Sequence, residues 1–328
     1  MIGVMGSGAW GTAIAQLIAQ NQQPVRLWGR DAALMESLRH DRENARYLPG
    51  CRLADAIEPV SDLASLAEIT TLFMVIPSFG ARAAMAAVQP HLPAGVPIIS
   101  ATKGFEPESH RRMSQVIADV CPGHPVGVLS GPNLAKEVMA GLPTPSVIAS
   151  DNAAIGRDVQ ALLSHANFRV YTNDDVVGTE LGGALKNTIA IAAGLVDELQ
   201  LGANAKAGLM TRGLAEITRL GVAMGAQPAT FAGLTGLGDL IATCSSPLSR
   251  NHQVGVMLAQ GLPLAEALQR LGSTAEGVNT TRVALLLAAE RDLEMPIAAA
   301  MGAMLEGRLA PQQAVRELMT RRPTQEVY

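Results

Sequence analysis

Aromatic side chains, cysteines and clustered positive charge are all scarce in this sequence. Aromatic residues make up 3% of the 328 positions, so the interior must be built mainly from Ala, Leu, Ile, Val and Met. Lysine and arginine are scattered, and the net charge of −4 provides no basic surface, which argues against a nucleic-acid partner. Any anionic ligand must therefore be held by a few local cations.

The cysteines and histidines have no spacing that indicates a metal site. Cys51, Cys121 and Cys244 lie far apart and form no pair typical of zinc binding or of a redox dithiol. Separate, reduced thiols are typical of a cytoplasmic protein. The apolar N-terminal stretch has no basic segment, since Arg26 is the first cation, so we expect no membrane insertion.

Strand and helix patterns alternate through the first half of the chain. The apolar run Ile2 to Met5 ends in glycine, residues 10–20 have helical spacing, and a second strand is predicted over 24–28. Residues 69–76 form an uninterrupted apolar run, which is typical of a parallel strand covered on both faces. Further strands are predicted near 97–101, 126–129, 146–149 and 168–171. This order predicts an α/β fold with a Rossmann-type doubly wound sheet.

Strand signals stop near residue 177, and helical periodicity continues from there. We predict a Rossmann domain over 1–180, followed by an all-α C-terminal domain over 181–328. Residues 181–199 are nearly uncharged and predict a buried central helix. The helical surface and the Ala-rich second half are compatible with a homodimer.

A glycine-rich turn, Gly6-Ser7-Gly8-Ala9-Trp10-Gly11, lies between the first strand and the first helix. Gly6 permits a tight turn, Gly8 lets the backbone approach a pyrophosphate, and Gly11 lets the helix pack closely on the sheet. Free N–H groups at the helix N-terminus would face the phosphates. This context favours a dinucleotide site over an ordinary strand-to-helix turn. We therefore predict that the domain over 1–180 binds NAD(P) and that the domain over 181–328 supplies substrate and catalytic residues.

The residues after the second strand bear on the choice of cofactor. Gly29-Arg30 stands where an acidic side chain would bind a ribose 2′-hydroxyl, and a guanidinium can accept a 2′-phosphate instead. Asp31 could pair with Arg30 or cap the next helix. The sequence favours NADPH and leaves NADH as the alternative, with a surface arginine as the other interpretation of Arg30.

Lys186 lies within the long apolar helix, where an unpaired ammonium group is costly. Its neighbours on the same face are small: Gly182, Gly183, Ala190 and Gly194. They leave room for another backbone or for a ligand. Burial and a second cation such as Lys103 would lower the pKa of Lys186 towards the range useful for proton transfer. We interpret Lys186 as catalytic; the alternatives are a lysine that reaches the surface or one paired with a core carboxylate.

Other polar residues beside glycines or at element ends are candidate ligands. Lys103 can point into the cleft from the carboxyl edge of the sheet, although a lone lysine there is more often solvated. Asp239 can approach a small molecule or cap the next helix. Arg250 and Asn251 suit a phosphate, or simply begin a helix. Glu276 can meet the cofactor, or start the next helix.

Several short segments follow one another in a fixed order: GSGAWGTA, LWGR, ATKGFEP, LSGPNLAKEV, GGALKN, NAKAGLMTRGLAEITRLG, GLTGLGDL, SRN, AEGVNTT and MPI. This ordered set closely resembles that of the bacterial NAD(P)-dependent glycerol-3-phosphate dehydrogenases. The resemblance implies reversible hydride transfer from nicotinamide C4 to dihydroxyacetone phosphate, which gives sn-glycerol 3-phosphate for phospholipid synthesis. Lys186 would donate the proton in reduction and accept it in oxidation.

The same resemblance implies two sets of ligands. The substrate site would contain Lys103, Gly131, Asn133, Lys186, Asp239, Ser249, Arg250 and Asn251. The cofactor site would contain Gly6, Gly8, Ala9, Trp10, Gly11, Arg30, Tyr47, Lys103, Ala135, Arg250, Thr274 and Glu276. Three positions depart from the family pattern: Ala9 replaces a serine, Asn133 replaces Ser or Thr, and Ser273 to Ala275 replace a more hydrophobic run.

Two other functions fit parts of the sequence. A two-domain reductase that acts on a hydroxy acid would share the glycine turn and the helical second half, but Lys103 with Arg250 and Asn251 favours a phosphate. A non-catalytic regulatory protein that binds NADPH would share the first domain. Lys186 among small residues argues against that second alternative.

Overall fold

A computed structural model describes residues 1–272, 274–322 and 325, which form an eight-stranded sheet with flanking helices and a second, helical half. The strands are β1 Ile2–Met5, β2 Val25–Trp28, β3 Ile57–Val60, β4 Thr71–Met74, β5 Ile98–Ser100, β6 Val126–Ser130, β7 Thr144–Ala149 and β8 Phe168–Asn173. The helices of the first half are α1 Ala9–Gln20, α2 Ala32–Asp41, α3 Ala81–Val88, α4 Met113–Val120, α5 Ala135–Met139 and α6 Ala153–Leu163.

Among the described residues of the second half, every regular element is a helix. Its helices are α7 Val176–Glu198, α8 Gly202–Ala223, α9 Pro228–Ala232, α10 Asp239–Ser245, α11 Arg250–Ala259, α12 Leu264–Leu271, α13 Glu276–Ala289, α14 Pro296–Leu305 and α15 Pro311–Met319. Residues 234–238 form a π-helical turn just before α10. No helix in the described ranges is long and apolar enough to cross a membrane.

The strand order is β3-β2-β1-β4-β5-β6-β7-β8, and the six strands from β3 to β6 in that order are parallel. The predicted Rossmann-type fold with a helical second half is confirmed. Two features were not predicted from the sequence. Strand β3 lies at the sheet edge and contains Glu58 and Pro59, which mask its pattern. Strand β7 runs antiparallel to β6.

Helix α7 lies at the centre of the second half, and every residue from 178 to 196 is buried. It begins at Val176, earlier than the apolar pattern predicts, because Asp175 caps it by accepting a hydrogen bond from the Gly178 N–H at 2.8 Å. The second Asp175 oxygen accepts bonds from the Gln227 N–H at 2.8 Å and the Thr230 hydroxyl at 2.7 Å. The helix therefore spans residue 180, and the two-domain division stays a prediction.

Two buried carboxylates, on α7 and α8, accept hydrogen bonds from the first residues of other helices. Glu180 of α7 accepts hydrogen bonds from the Ser114 N–H at 2.7 Å and its hydroxyl at 2.5 Å, at the start of α4. Glu216 of α8 accepts bonds from the N–H groups of Ile297 at 2.8 Å and Ala298 at 3.2 Å, at the start of α14. Both carboxylates satisfy backbone donors that have no partner within their own helices.

Helices α7 and α11 cross with their backbones in contact. A Cβ added at Gly255 would lie 1.9 Å from the carbonyl oxygen of Ile191, and one at Gly194 would lie 2.0 Å from that of His252. A Cβ at Gly182 would lie 2.6 Å from the carbonyl oxygen of Thr235. The small residues on this face of α7 thus admit other backbones, one of the two interpretations that the sequence leaves open.

The glycine contact between α7 and α11 generates a stability prediction. We expect Gly255→Ala to lower the free energy of unfolding by about 2 kcal/mol, because the added methyl group forces the two helices apart. Gly208→Ala is the matched control, since a Cβ there meets no atom within 4 Å in the exposed part of α8. It should raise stability by about 0.5–1 kcal/mol. Urea unfolding measures both, and equal effects would contradict the close crossing.

Candidate active site

The glycine turn has the shape expected of a phosphate-binding loop. Gly6 has a φ of +128°, and a Cβ there would lie 2.3 Å from the carbonyl oxygen of Val75. A Cβ at Gly11 would lie 1.8 Å from the carbonyl oxygen of Gly6. A Cβ at Gly8, by contrast, meets nothing within 4 Å. Gly6 and Gly11 are thus required by the fold itself, while Gly8 borders open space at the N-terminus of α1.

The start of α1 offers unsatisfied donors to that open space. Gly8 is the N-cap residue and provides no side-chain cap, so the first N–H groups of the helix are available to an anion. Ala9 and Trp10 are the first two helical residues, and the indole Nε1 of Trp10 is buried without a hydrogen-bond partner among the described residues. Ala135 begins α5, which packs against α1. These residues fit a dinucleotide pyrophosphate.

The end of β2 carries several charged side chains. Arg30 is exposed and makes no hydrogen bond or ion pair with any residue that the structure describes. Asp31 caps α2, because its Oδ1 accepts a hydrogen bond from the Leu34 N–H at 3.1 Å. Its Oδ2 lies 3.4 Å from Nη1 of Arg46. Of the two roles considered for Asp31, capping is the one observed, and the paired arginine is Arg46 instead of Arg30.

The loop that carries Tyr47 is joined to the glycine turn by Asn44. The side-chain amide of Asn44 donates hydrogen bonds to the Ser7 carbonyl at 3.0 Å and to the Thr12 hydroxyl at 2.7 Å. Tyr47 follows three residues later and is 36% exposed, with the guanidinium of Arg46 above its ring. Asn44 was not identified from the sequence, since nothing in its local pattern distinguishes it from a turn residue.

The centre of the candidate site is a carboxylate held between two lysines. Asp239, which is 2% exposed, accepts a hydrogen bond from Lys186 Nζ at 2.8 Å on Oδ1 and one from Lys103 Nζ at 2.7 Å on Oδ2. The three residues come from α10, α7 and the loop after β5. Lys186 is therefore paired with a core carboxylate, and the same carboxylate also holds a second lysine.

Hydroxyl and amide groups complete the surroundings of both ammonium groups. Lys186 also donates to the Thr243 hydroxyl, which in turn donates to Oδ1 of Asp239 at 3.1 Å. Lys103 also donates to the Gly131 carbonyl and to Asn133 Oδ1, each at 2.8 Å. Thr243 was not identified from the sequence, although a hydroxyl one helical turn after an acidic candidate is a usable signal.

Two ammonium groups against one carboxylate leave one net positive charge in a poorly solvated place. Burial and the nearby charge of Lys186 lower the pKa of Lys103 to about 8, although Asp239 acts in the opposite direction. The side chain of Lys103 is 19% exposed, so an anionic or polar ligand can reach its ammonium group.

The positions of Asp239 and Lys103 depend on nearby glycines and amides. The π-helical turn before Asp239 packs on α7 at Gly182, and such turns are frequent at functional sites. Gly131 has a φ of +127°, which turns its carbonyl oxygen towards Lys103. Asn133 donates a hydrogen bond to the Ser146 hydroxyl at 3.1 Å, so its side chain positions Lys103.

The start of α11 brings together the remaining substrate candidates. Ser249 is buried and caps the helix by accepting a hydrogen bond from the His252 N–H at 3.3 Å. Asn251 is also buried; its amide donates to Asn187 Oδ1 at 2.9 Å, and its Oδ1 accepts from the Gly277 N–H at 3.0 Å. Both side chains thus have structural partners. Asn187, which follows Lys186 directly, was not identified from the sequence.

Arg250 and Glu276 are the first residues of α11 and α13 in the helical half. Arg250 is exposed, and its Nη1 lies 3.4 Å from the Thr274 hydroxyl. Glu276 begins α13 and accepts hydrogen bonds from the Ser78 N–H at 2.9 Å and the Ser78 hydroxyl at 2.5 Å. Burial raises the pKa of Glu276. Ser273, one of the departures from the family pattern, lies outside the described residues.

The predicted residues therefore form two neighbouring groups. One consists of Lys103, Gly131, Asn133, Lys186 and Asp239, which contact one another directly. The other consists of the glycine turn and the charged residues after β2. Arg250 and Thr274 lie near each other, and Glu276 contacts Ser78 in the segment after β4. Within the described ranges, no group of His, Cys, Asp and Glu could hold a metal ion.

Comparison with known proteins gives a consistent result over nearly the whole chain. Residues 1–155 match the family described as "NAD-dependent glycerol-3-phosphate dehydrogenase N-terminus", and residues 175–316 match the corresponding C-terminus. "Glycerol-3-phosphate dehydrogenase [NAD(P)+] 2" of Sphingopyxis alaskensis is 48% identical over 97% of this chain and 96% of its own. The Azotobacter vinelandii enzyme is 49% identical over 99% and 96%.

A solved structure agrees with these matches. The crystal structure of glycerol-3-phosphate dehydrogenase from Coxiella burnetii superposes with a TM-score of 0.94 at 39% identity. The alignment covers 98% of each chain. The similarity therefore extends over both the sheet and the helical half.

The lowered pKa of Lys103 can be measured directly, because the sequence has only four lysines, at 103, 136, 186 and 206. We expect the labelled side-chain carbon of Lys103 to titrate at about pH 8 in an NMR experiment, with Lys103→Arg used for assignment. In Asp239→Asn the pKa should fall further, because the carboxylate that raises it is removed. A wild-type titration above about pH 10 would contradict the burial of this ammonium group.

Proposed function

The chain belongs to the NAD-dependent glycerol-3-phosphate dehydrogenase family, and from that premise we propose which of its residues carry the reaction. The reaction is the reversible reduction of dihydroxyacetone phosphate to sn-glycerol 3-phosphate with NAD or NADP as the cofactor. The observation that supports this assignment best is the buried carboxylate of Asp239 between the ammonium groups of Lys186 and Lys103.

Lys186 is the proton donor in the direction of reduction. When bound, the nicotinamide supplies a hydride to the carbonyl carbon, or takes it back in the reverse reaction. The carbonyl oxygen then needs one proton to become a hydroxyl group, and the Lys186 ammonium gives it. In oxidation the neutral amine of Lys186 takes the same proton back. General acid catalysis of this kind contributes about 10²–10⁴-fold in rate.

Asp239 and Lys103 assist that proton transfer without donating or accepting the proton themselves. Asp239 fixes the direction of the Lys186 ammonium together with Thr243. Lys103 places a second positive charge beside the other oxygen of the carboxylate. That positive charge stabilises the negative charge that develops on the substrate oxygen. Gly131 and Asn133 position Lys103 through its other two hydrogen bonds.

The substrate phosphate binds at the start of α11. Arg250 is the exposed cation there, and a guanidinium can form two parallel hydrogen bonds with a phosphate. The N-terminus of this ten-residue helix adds a favourable dipole. Ser249 caps the helix and Asn251 links it to α7 and α13, so these two residues fix the position of Arg250.

When bound, the cofactor would be held by the glycine turn and by residues after β2 and β5 and at or just before the starts of α5, α11 and α13. Its proposed contacts are Gly6, Gly8, Ala9, Trp10, Gly11, Arg30, Tyr47, Lys103, Ala135, Arg250, Thr274 and Glu276. We favour NADPH over NADH, because both oxygens of Asp31 are engaged by other groups while Arg30 has none of the described residues as a partner. With Ala9 in the turn, the pyrophosphate depends on backbone N–H groups.

The cellular setting follows from the chemistry of the product. sn-Glycerol 3-phosphate supplies the backbone of phospholipids, so we place the reaction in lipid synthesis in the cytoplasm. The three cysteines are unpaired, which suits that compartment. Exposed apolar side chains in the helical half, including Val222, Leu286 and Met319, are compatible with a homodimer.

An assay of NADPH oxidation tests the proposed reaction and the role of Lys186. We expect turnover with dihydroxyacetone phosphate and none with 2-keto acids. Lys186→Met should lower kcat by about 10²-fold or more, because the proton donor is lost, while NADPH still binds. Lys136→Met is the matched control, since Lys136 is exposed and outside the proposed site.

Two results would contradict the assignment. Reduction of a 2-keto acid without reduction of dihydroxyacetone phosphate would identify the chain as a hydroxy-acid enzyme. Wild-type turnover in Lys186→Met would remove Lys186 from the mechanism and leave the family assignment intact.

A further inference from the structure

A second arginine lies where the adenosine ribose of the proposed cofactor is expected. In dinucleotide-binding sheets the end of the second strand meets the ribose of the adenosine half. Strand β2 ends at Trp28, and Arg30 follows it with an exposed side chain. Arg46 comes from the loop after α2, and its guanidinium approaches the residue next to Arg30.

The loop that carries Arg46 is fixed against the glycine turn. Asn44 is completely buried, and its amide donates to the Ser7 carbonyl and to the hydroxyl of Thr12 in α1. Arg46 and Tyr47 follow Asn44 by two and three positions. They are therefore held beside the turn that is proposed to bind the pyrophosphate. Arg46 therefore lies beside Tyr47, on the same side of the proposed cofactor site.

The guanidinium of Arg46 is oriented but remains accessible. It lies 5.3 Å from the centre of the Tyr47 ring, which restricts its plane by a cation–π contact. Its Nη1 is 3.4 Å from Oδ2 of Asp31, and the side chain is 62% exposed. An exposed ion pair at this distance is weak. A phosphate with up to two negative charges makes shorter, charge-assisted hydrogen bonds with a guanidinium and competes well with this carboxylate.

An acidic residue near this strand end usually binds a ribose hydroxyl, and Asp31 has a different role. Its Oδ1 caps α2 and its Oδ2 faces Arg46, so neither oxygen is left for a ribose hydroxyl. Arg30 and Arg46 together outweigh its single negative charge. The surroundings of the strand end are therefore net positive despite the acid.

We propose that Arg46 binds the 2′-phosphate of NADPH together with Arg30, and that the pair of arginines sets the preference for NADPH over NADH. This inference rests on the proposed function, because it concerns the cofactor of the same reaction. A purely structural Arg46, which only supports the start of α2 through Asp31, would affect cofactors with and without a 2′-phosphate equally.

Binding of two cofactor fragments separates these roles without any turnover. Calorimetry with 2′,5′-ADP and with 5′-AMP isolates the contribution of the 2′-phosphate. We expect Arg46→Ala and Arg30→Ala each to weaken 2′,5′-ADP binding about tenfold and to change 5′-AMP binding less than about twofold. Arg46→Gln, which keeps the stem over Tyr47, should show the same selective loss if the folding of Arg46→Ala is impaired.

Two further variants test how charge near this strand end affects binding of the 2′-phosphate. Asp31→Asn keeps the helix cap but removes the negative charge, so it should strengthen 2′,5′-ADP binding about threefold and leave 5′-AMP binding unchanged. Arg52→Ala is the matched control, because Arg52 lies on the same loop and its one ion pair among the described residues is with Asp55 at 3.8 Å. It removes the same charge and should leave the ratio of the two affinities at its wild-type value.

The outcomes separate this inference from the proposed function. Equal losses for both fragments in Arg46→Ala, no loss at all, or an equal loss in Arg52→Ala would overturn the role of Arg46. Wild-type protein that binds 2′,5′-ADP no better than 5′-AMP would also overturn it, while reduction of dihydroxyacetone phosphate with NADH would still support the dehydrogenase. If Arg46 makes binding selective for 2′,5′-ADP but the protein does not reduce dihydroxyacetone phosphate, the proposed function is contradicted and the role of Arg46 is not.

Discussion

The carboxylate of Asp239 lies between two lysine ammonium groups, and the geometry of the proposed substrate site depends on this contact. Its two oxygens join Lys186 of α7 to Lys103 of the loop after β5. This buried negative charge therefore links the loop after β5 to two helices of the helical half. Without it, two ammonium groups would repel each other in a poorly solvated space, which is costly. The glycine contacts of α7 and its ties through Asp175 and Glu180 keep that helix in place.

Much of this arrangement is predictable from local patterns. Alternating apolar runs predict the Rossmann-type sheet, and a change of periodicity near residue 177 predicts the helical half. Lys186 and Lys103 are identified because charged residues among glycines or in an apolar helix need an explanation. The convergence of these residues is not predictable in the same way, because Asp239 lies 53 positions from Lys186 and 136 from Lys103. Contacts at such separations depend on how whole elements pack.

The residues that sequence reasoning missed have ordinary local surroundings. Asn187 lies inside a helix, where an amide has no distinguishing pattern, and Thr243 is marked only by its position one helical turn after Asp239. Ser249 and Asn251 were identified, but the structure gives each a supporting partner within the protein. Local charge patterns also leave pairings open: Asp31 is next to Arg30 in the chain and near Arg46 in space. The site is thus built as much by supporting contacts as by the groups that face a ligand.

The central claim is that Asp239 and Lys186 act as one unit. The most direct measurement is a double-mutant cycle on kcat/KM for dihydroxyacetone phosphate, with Lys186→Met, Asp239→Asn and the variant that carries both changes. If the carboxylate works by holding Lys186, the double variant should be within about threefold of the worse single variant. Losses that multiply would show that the two residues contribute independently, and they would contradict the account.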